Sequence, residues 1–402
     1  MVTKDSNVKR HYFDWAASAP YDYTDPSVPP GNPSSQHSEG RQAKFALEDA
    51  RARCAAVLNV PPDTLYFTSG GTESNSIALF SNLMRKGQGR VIASQAEHSS
   101  IREGMETLEK MGKPIGRIDV DSAGRVNAQT FAKALEKYGN VRFASVMAVN
   151  NETGAVTDIA SLRDVIYKQG KNDVSEKLNF RAAETPYPVH LHCDLVQAVG
   201  KVPVDIPLWE IDSASISAHK ISGPRGIGLL YLRRRNGIEA FYSGGGQEDG
   251  IRGGTENTMG AIELAGCLEK YAGAQAVRAN YERAKERWEK LINSLAAAER
   301  CTIIPSSRTG DDARDEFSPY ILQTAFKDIP GEVMARALDD LGFAVSTGSA
   351  CSSTSPERPV LLAMGVQENL RIEGIRISQG WSTTDEEIDL LLDAIAEVLK
   401  FL

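Results

Sequence analysis

The chain of 402 residues has no apolar run approaching the roughly 18 residues that a membrane-spanning helix needs. A membrane partner is therefore not expected. Its first residues, Met1 to Asn7, lack the apolar stretch of a secretory signal, which points to the cytoplasm. Five cysteines (Cys54, Cys193, Cys267, Cys301, Cys351) form no CxxC pair and no zinc-ligand spacing. Their odd count and scatter argue against a disulfide framework and against a metal centre, and free thiols fit a reducing compartment. Neither an internal repeat nor a low-complexity tract is visible, so solenoids and disordered tails are excluded. Positive charge is in deficit: 45 Lys and Arg face 53 Asp and Glu, a formal net charge of -8. An acidic chain repels nucleic-acid phosphates, although one basic pocket can still take a small anion. With 41% hydrophobic and 24% charged residues, the chain is of ordinary globular composition, long enough for two or three domains or for one large and one small.

What is present alternates. Residues 39–60 read as a helix that stops before Pro61-Pro62. Short apolar runs at 65–68, 90–94, 143–149, 189–194, 213–216 and 228–232 read as strands, several separated by helical spacers such as 74–86. This predicts an α/β fold with a mostly parallel sheet covered on both faces. A long charged helix is expected over 259–298, then a strand at 321–326, a helix at 330–341 and an amphipathic helix at 384–402, together a smaller α+β domain. The expected division is 1–265, including an irregular N-terminal segment 1–35, and 266–402. The polar stretch 168–188 breaks the alternation and reads as a surface insertion.

Seven segments carry candidate chemistry. Lys220 stands in Ser217-Ala218-His219-Lys220-Ile221-Ser222-Gly223-Pro224, between a polar strand end and a Gly/Pro loop. Ser217 and His219 can hold a phosphate, and a lysine sheltered from water can lose its proton and react with a carbonyl. A surface lysine before a turn is the plain alternative. Asp194, in His192-Cys193-Asp194-Leu195-Val196-Gln197, ends a buried strand, where open α/β sheets bind ligands. A carboxylate there can pair with a protonated pyridine nitrogen, with Gln197 donating to a ring hydroxyl. It serves equally as a helix N-cap. Small residues in Ser69-Gly70-Gly71-Thr72 offer backbone N–H groups, a helix N-terminus and the Thr72 hydroxyl to an anion. His98 can stack on a flat cofactor or be structural. Asn151 carries an amide able to bridge cofactor and substrate, or belongs to a simple turn. Cys351 lies in Thr347-Gly348-Ser349-Ala350-Cys351-Ser352-Ser353, a polar setting for a thiol and one that suits a mobile loop. Arg376, on an expected strand, can grip a carboxylate through two hydrogen bonds.

Taken in order along nearly the whole chain, these segments resemble the fold-type-I pyridoxal phosphate (PLP) enzymes of the class-V aminotransferase kind, and among them the cysteine desulfurase family. Tyr12-Phe13-Asp14, Gly31-Asn32-Pro33-Ser34-Ser35 and the stretch from Gly244 to Thr255 join the same resemblance. It implies pyridoxal 5'-phosphate as cofactor and Lys220 as the Schiff-base lysine, which also moves the Cα proton. Asp194 would face the pyridinium nitrogen, Gln197 the ring oxygen, and His98 the ring itself. Gly71, Thr72, Ser217 and His219 fall at the phosphate; Asn151 and Arg376 fall at the substrate carboxylate. Cys351 resembles the family's persulfide-carrying nucleophile, in the branch that supplies sulfur for iron-sulfur clusters. Thr255 resembles the residue that reaches the neighbouring subunit's phosphate, which implies a homodimer. The expected partners are L-cysteine and a sulfur-acceptor protein such as an iron-sulfur scaffold. Two segments depart from the family pattern: the short stretch 20–31, where a helix is usual, and the insertion 168–188. Selenocysteine lyase or another PLP reaction on the same scaffold is the alternative activity. A non-enzymatic scaffold would be expected to have lost Lys220, Asp194 or Cys351.

Overall fold

The computed structural model describes residues 11–15, 31–84, 89–176, 189–235, 238–240, 242–310, 316–348 and 358–402. In chain order the strands are β1 (His11–Tyr12), β2 (Leu65–Thr68), β3 (Arg90–Ser94), β4 (Ile115–Ile118), β5 (Val141–Met147), β6 (His190–Asp194), β7 (Ser213–Ser217), β8 (Gly228–Leu232), β9 (Cys301–Ile304), β10 (Ile321–Phe326), β11 (Phe343–Ala344) and β12 (Gly374–Ser378). The first helices are α1 (Ser38–Leu58), α2 (Gly71–Met84) and α3 (Ser99–Lys110).

The main sheet has the order β2-β8-β7-β6-β5-β3-β4. From β7 to β4 every neighbouring pair is parallel, whereas β8 runs against both β2 and β7. Successive strand residues enter opposite faces. Leu65, Phe67, Ile92, Leu229 and Tyr231 join one apolar core, while Tyr66, Val91, Ala93, Leu230 and Leu232 join the other. Burial on both sides explains why these strands read as unbroken apolar runs. A second sheet, β12-β10-β9, is antiparallel and lies in a separate core with Trp288, Leu291, Leu322, Ile375 and Ile377.

Three expectations change. The single helix over 259–298 is two, Thr258–Tyr271 and Ala274–Ala296, separated by Gly273 in an extended conformation (φ -61°, ψ 142°). The two serve different cores: Ala261, Leu264 and Leu268 pack into the large one, Trp288, Leu291 and Leu295 into the smaller. Residues 11–13 of the N-terminal segment are neither irregular nor part of the large domain's core. Strand β1 pairs in parallel with β11, and Phe13 is buried among the residues of the smaller core. The stretch 168–188 begins as helix, because Ile159–Glu176 continues through nearly half of it. The remainder of that stretch, and all of 20–30, lie outside the described residues.

Candidate active site

Strands β2, β3, β5, β6 and β7 end at the same edge of the sheet, since β2 and β7 both oppose β8. The segments that follow them carry Gly71 and Thr72, His98, Asn151, Asp194 and Gln197, and Ser217 to Lys220. One topological fact therefore gathers candidates spread over some 150 positions, beyond the carboxyl ends of the strands.

The turn into α2 needs glycine twice. Gly70 has φ +148°, which side chains avoid. A Cβ on Gly71 would lie 2.6 Å from Val196 Cγ2 and 3.7 Å from Ser217 Cβ, so the absence of a side chain lets the N-terminus of α2 close on the end of β7. The Glu73 carboxylate accepts from the Ser69 N–H, and the Thr68 and Ser74 hydroxyls meet at 2.8 Å, which fixes the turn. Thr72 is exposed in the first helical turn. Across from it, β7 and β8 form a hairpin with Ser217 opposite Gly228. The hairpin loop begins with the 3-10 turn Ala218–Lys220, which leaves Lys220 half-buried. Burial, joined by the positive charges of Lys220, Lys201 and Arg225, pushes the His219 pKa down to about 4. His219 is therefore a neutral imidazole near pH 7, able to donate one N–H without adding charge.

Asp194 is 3% exposed at the end of β6. Its Oδ1 accepts from the Val196 N–H at 2.9 Å, the local capping role. Its Oδ2 accepts from Asn75 Nδ2 of α2 at 2.8 Å, which capping does not require. Buried Gln197 accepts at Oε1 from Lys201 Nζ at 2.6 Å. His98 is the N-cap of α3, and its Nδ1 accepts from the Ser100 N–H at 3.2 Å. The structural role of that histidine is thus real and leaves open its ring face. Arg376 is 1% exposed on β12; Nη1 donates to the Asn151 carbonyl and Nη2 to Asp14 Oδ1, both at 3.0 Å. Arg376 Nε and Asn151 Oδ1 are buried without a partner among the described residues. A guanidinium and an amide with vacant hydrogen-bonding capacity thus lie side by side.

The chain matches the aminotransferase class-V family over residues 27–175 and 176–391. It belongs to that family. This class-V aminotransferase is 33% identical over 400 residues to cysteine desulfurase IscS of Dictyoglomus turgidum, a match spanning 97% of this chain and 94% of that one. A solved NifS-like protein has a TM-score of 0.83 and 30% identity, covering 98% of this chain and 100% of its own. A structure of SspA in complex with cysteine has a TM-score of 0.73 and 27% identity, covering 91% and 98%.

One candidate of this class-V aminotransferase is not brought to the cluster. Thr255 is exposed on the loop before helix Thr258–Tyr271 and shares no hydrogen bond with the other candidates among the described residues. Cys351 lies outside the described residues. Four residues to which the sequence reading gave no role do join the site: Asn75, Glu97, His192 and Lys201. Two of them had a faint periodic signal. His192 precedes Asp194 by two on one strand and so shares its side, and Lys201 follows Gln197 by four. Burial pushes the Lys201 amine well below its ordinary range, with Lys220 and Arg376 adding to the effect. Burial also pushes the Glu97 carboxyl up to about 8, helped by the negative charge of Asp194.

Proposed function

We propose that this chain is a cysteine desulfurase that uses pyridoxal phosphate and removes sulfur from L-cysteine. The observation that carries the reading is Asp194: a buried carboxylate fixed at both oxygens at the end of β6, close to the hairpin that presents Lys220. The donor set fits the cofactor. Backbone N–H groups at the start of α2, with Ser217 and neutral His219, suit a phosphate. Gly71 leaves room that a Cβ would fill. Asp194 suits a ring nitrogen, and Gln197 a ring oxygen. The orphaned Asn151 Oδ1 and Arg376 Nε supply hydrogen bonds for an incoming amino acid. When bound, pyridoxal phosphate supplies an electron sink that loosens bonds at the substrate's α- and β-carbons.

The chain's own residues do the rest. Lys220 holds the cofactor and, once released, takes and returns the proton at the substrate Cα. The Asp194 carboxylate holds a proton on the ring nitrogen. Arg376 grips the substrate carboxylate, its guanidinium held by Asp14 and the Asn151 carbonyl. Cys351 accepts the sulfur: a bond forms between its Sγ and the substrate sulfur as the Cβ–S bond breaks, so that cysteine and thiol become alanine and persulfide. The solved complex of SspA with cysteine supports the substrate. Within the same reading the enzyme is a homodimer in which Thr255 completes the neighbour's phosphate site, and it hands sulfur to an acceptor such as an iron-sulfur scaffold in the cytoplasm. A large domain to about 265 and a smaller one from 266 belong to it as well, and the change of core between Tyr271 and Ala274 supports a division a few residues further along. The test is single-turnover formation of alanine and persulfide from L-cysteine by the wild type and Cys351→Ala. A variant that binds cofactor but forms neither product supports the assignment; one that forms alanine at the wild-type rate overturns it.

A further inference from the structure

Behind Asp194 lies a chain of hydrogen bonds whose direction chemistry fixes. Asn75, on α2 and 1% exposed, spends both amide protons: one goes to Asp194 Oδ2 at 2.8 Å, the other to Ser100 Oγ at 2.9 Å. The reverse amide would set two acceptors against each other at Asp194. Asn75 Oδ1 therefore points the other way, where it meets His192 Nε2 at 2.9 Å. That oxygen only accepts, so His192 carries its proton on Nε2. Its bare Nδ1 then takes the Ser213 hydroxyl proton at 2.7 Å, and Ser213 Oγ in turn lies 2.7 Å from His190 Nε2. His192 is fully buried against Phe143, and burial pushes its pKa down to about 3, so the donor–acceptor pattern is held without titrating near pH 7. On the other branch, Ser100 offers both its hydroxyl and its backbone N–H to His98 Nδ1, at 2.9 and 3.2 Å.

We propose that Asn75 is a positioning residue that sets Asp194 and His98 in register with one another, and that His192 holds the Asn75 amide in the single orientation that allows it. The inference rests on the pyridoxal phosphate reading: the two groups so joined are those assigned to the ring nitrogen and the ring face. One side chain would thereby couple the carboxylate assigned to the ring nitrogen to the imidazole assigned to the ring face. Removing the partners that orient metal ligands costs about 10- to 100-fold in metal affinity or activity, and the same scale is taken for this site.

The experiment titrates cofactor-free full-length protein with pyridoxal phosphate, reading the dissociation constant and the induced circular dichroism of the bound cofactor. Asn75→Leu should weaken binding about 10- to 100-fold. Ser100→Ala cuts only the His98 branch; it should leave affinity within about 3-fold of wild type and still change the dichroism. His192→Leu should weaken binding about 10-fold, whereas His192→Gln, which retains a donor near the Nε2 position, should restore it to within about 3-fold. The histidine pair decides the matter if Asn75→Leu does not fold. Equal weakening by His192→Leu and His192→Gln would show that the imidazole only fills space, and overturn the inference. Wild-type affinity and dichroism in folded Asn75→Leu would overturn it too, with the cofactor reading intact. Failure of the wild type to bind pyridoxal phosphate would sink both.

Discussion

Replacing Glu97 with Gln should make the protein more stable, and increasingly so as pH rises. Glu97 is 1% exposed, its Oε2 accepts from Ser145 Oγ at 3.1 Å, and its Oε1 is buried without a partner among the described residues. Burial first, and the charge of Asp194 second, raise its pKa from 4.5 to about 8. The folded protein therefore keeps a proton that the unfolded chain releases. Stability falls with rising pH across the window from 4.5 to about 8, by about 1.4 kcal/mol per unit at most. Below the window both states are protonated and the cost vanishes; above it both are ionised and the cost is constant. Between pH 5.5 and 7.5 the accumulated penalty is about 3 kcal/mol. Glutamine keeps the acceptor for Ser145 and carries no titrating proton. Denaturant unfolding of cofactor-free wild type and Glu97→Gln at the two pH values measures this directly. The advantage of the variant should be about 3 kcal/mol greater at pH 7.5 than at pH 5.5. An equal difference at both would show that Glu97 ionises in the fold as it does in the unfolded chain, and the argument from burial would fail.

Other outcomes follow from single contacts. Arg376→Lys keeps the charge but loses the planar fork, so KM for L-cysteine should rise roughly 10- to 100-fold with a smaller change in kcat; steady-state kinetics in which only kcat falls would contradict a carboxylate-gripping role. Gly71→Ala forces its Cβ to within 2.6 Å of the stiff Val196 side chain, and an overpacking cost of about 1–3 kcal/mol should appear as a lower thermal midpoint and weaker cofactor binding. Arg51→Met leaves the Glu248 carboxylate, 6% exposed and formerly held at 2.7 and 2.8 Å, buried without its cation. Unfolding should become easier by about 3–5 kcal/mol, with part of the loss recovered in the double variant Arg51→Met, Glu248→Gln.

The large sheet was legible because strands buried on both faces leave continuous apolar runs between turn residues, as at Leu65–Thr68 and Gly228–Leu232. The candidates could be read where a polar residue ends a buried strand, as Asp194 and Ser217 do. The break at Gly273 was not, since a lone glycine within a charged helical pattern carries little signal, and which core each half faces is decided by distant residues. The pairing of β1 with β11 was hidden for the same reason: two-residue strands have no periodicity to read. Asn75 and His192 escaped notice because their importance lies in bonds to each other across the fold, 2.9 Å apart in space and more than a hundred positions apart in sequence.

The docking of β1 also constrains how the chain is made. His11 and Tyr12 pair with Phe343 and Ala344, Phe13 packs against Phe343, and Asp14 holds Arg376. A ribosome adding about 5–20 residues per second delivers those partners on the order of 15 to 65 s after Phe13 emerges. For that interval Phe13 has no native place to go, although the large sheet can form behind it. Arg376 thus receives its carboxylate partner, Asp14, from a segment made 362 positions before it, so an earlier segment and a later one meet only once the sheet between them has been synthesised.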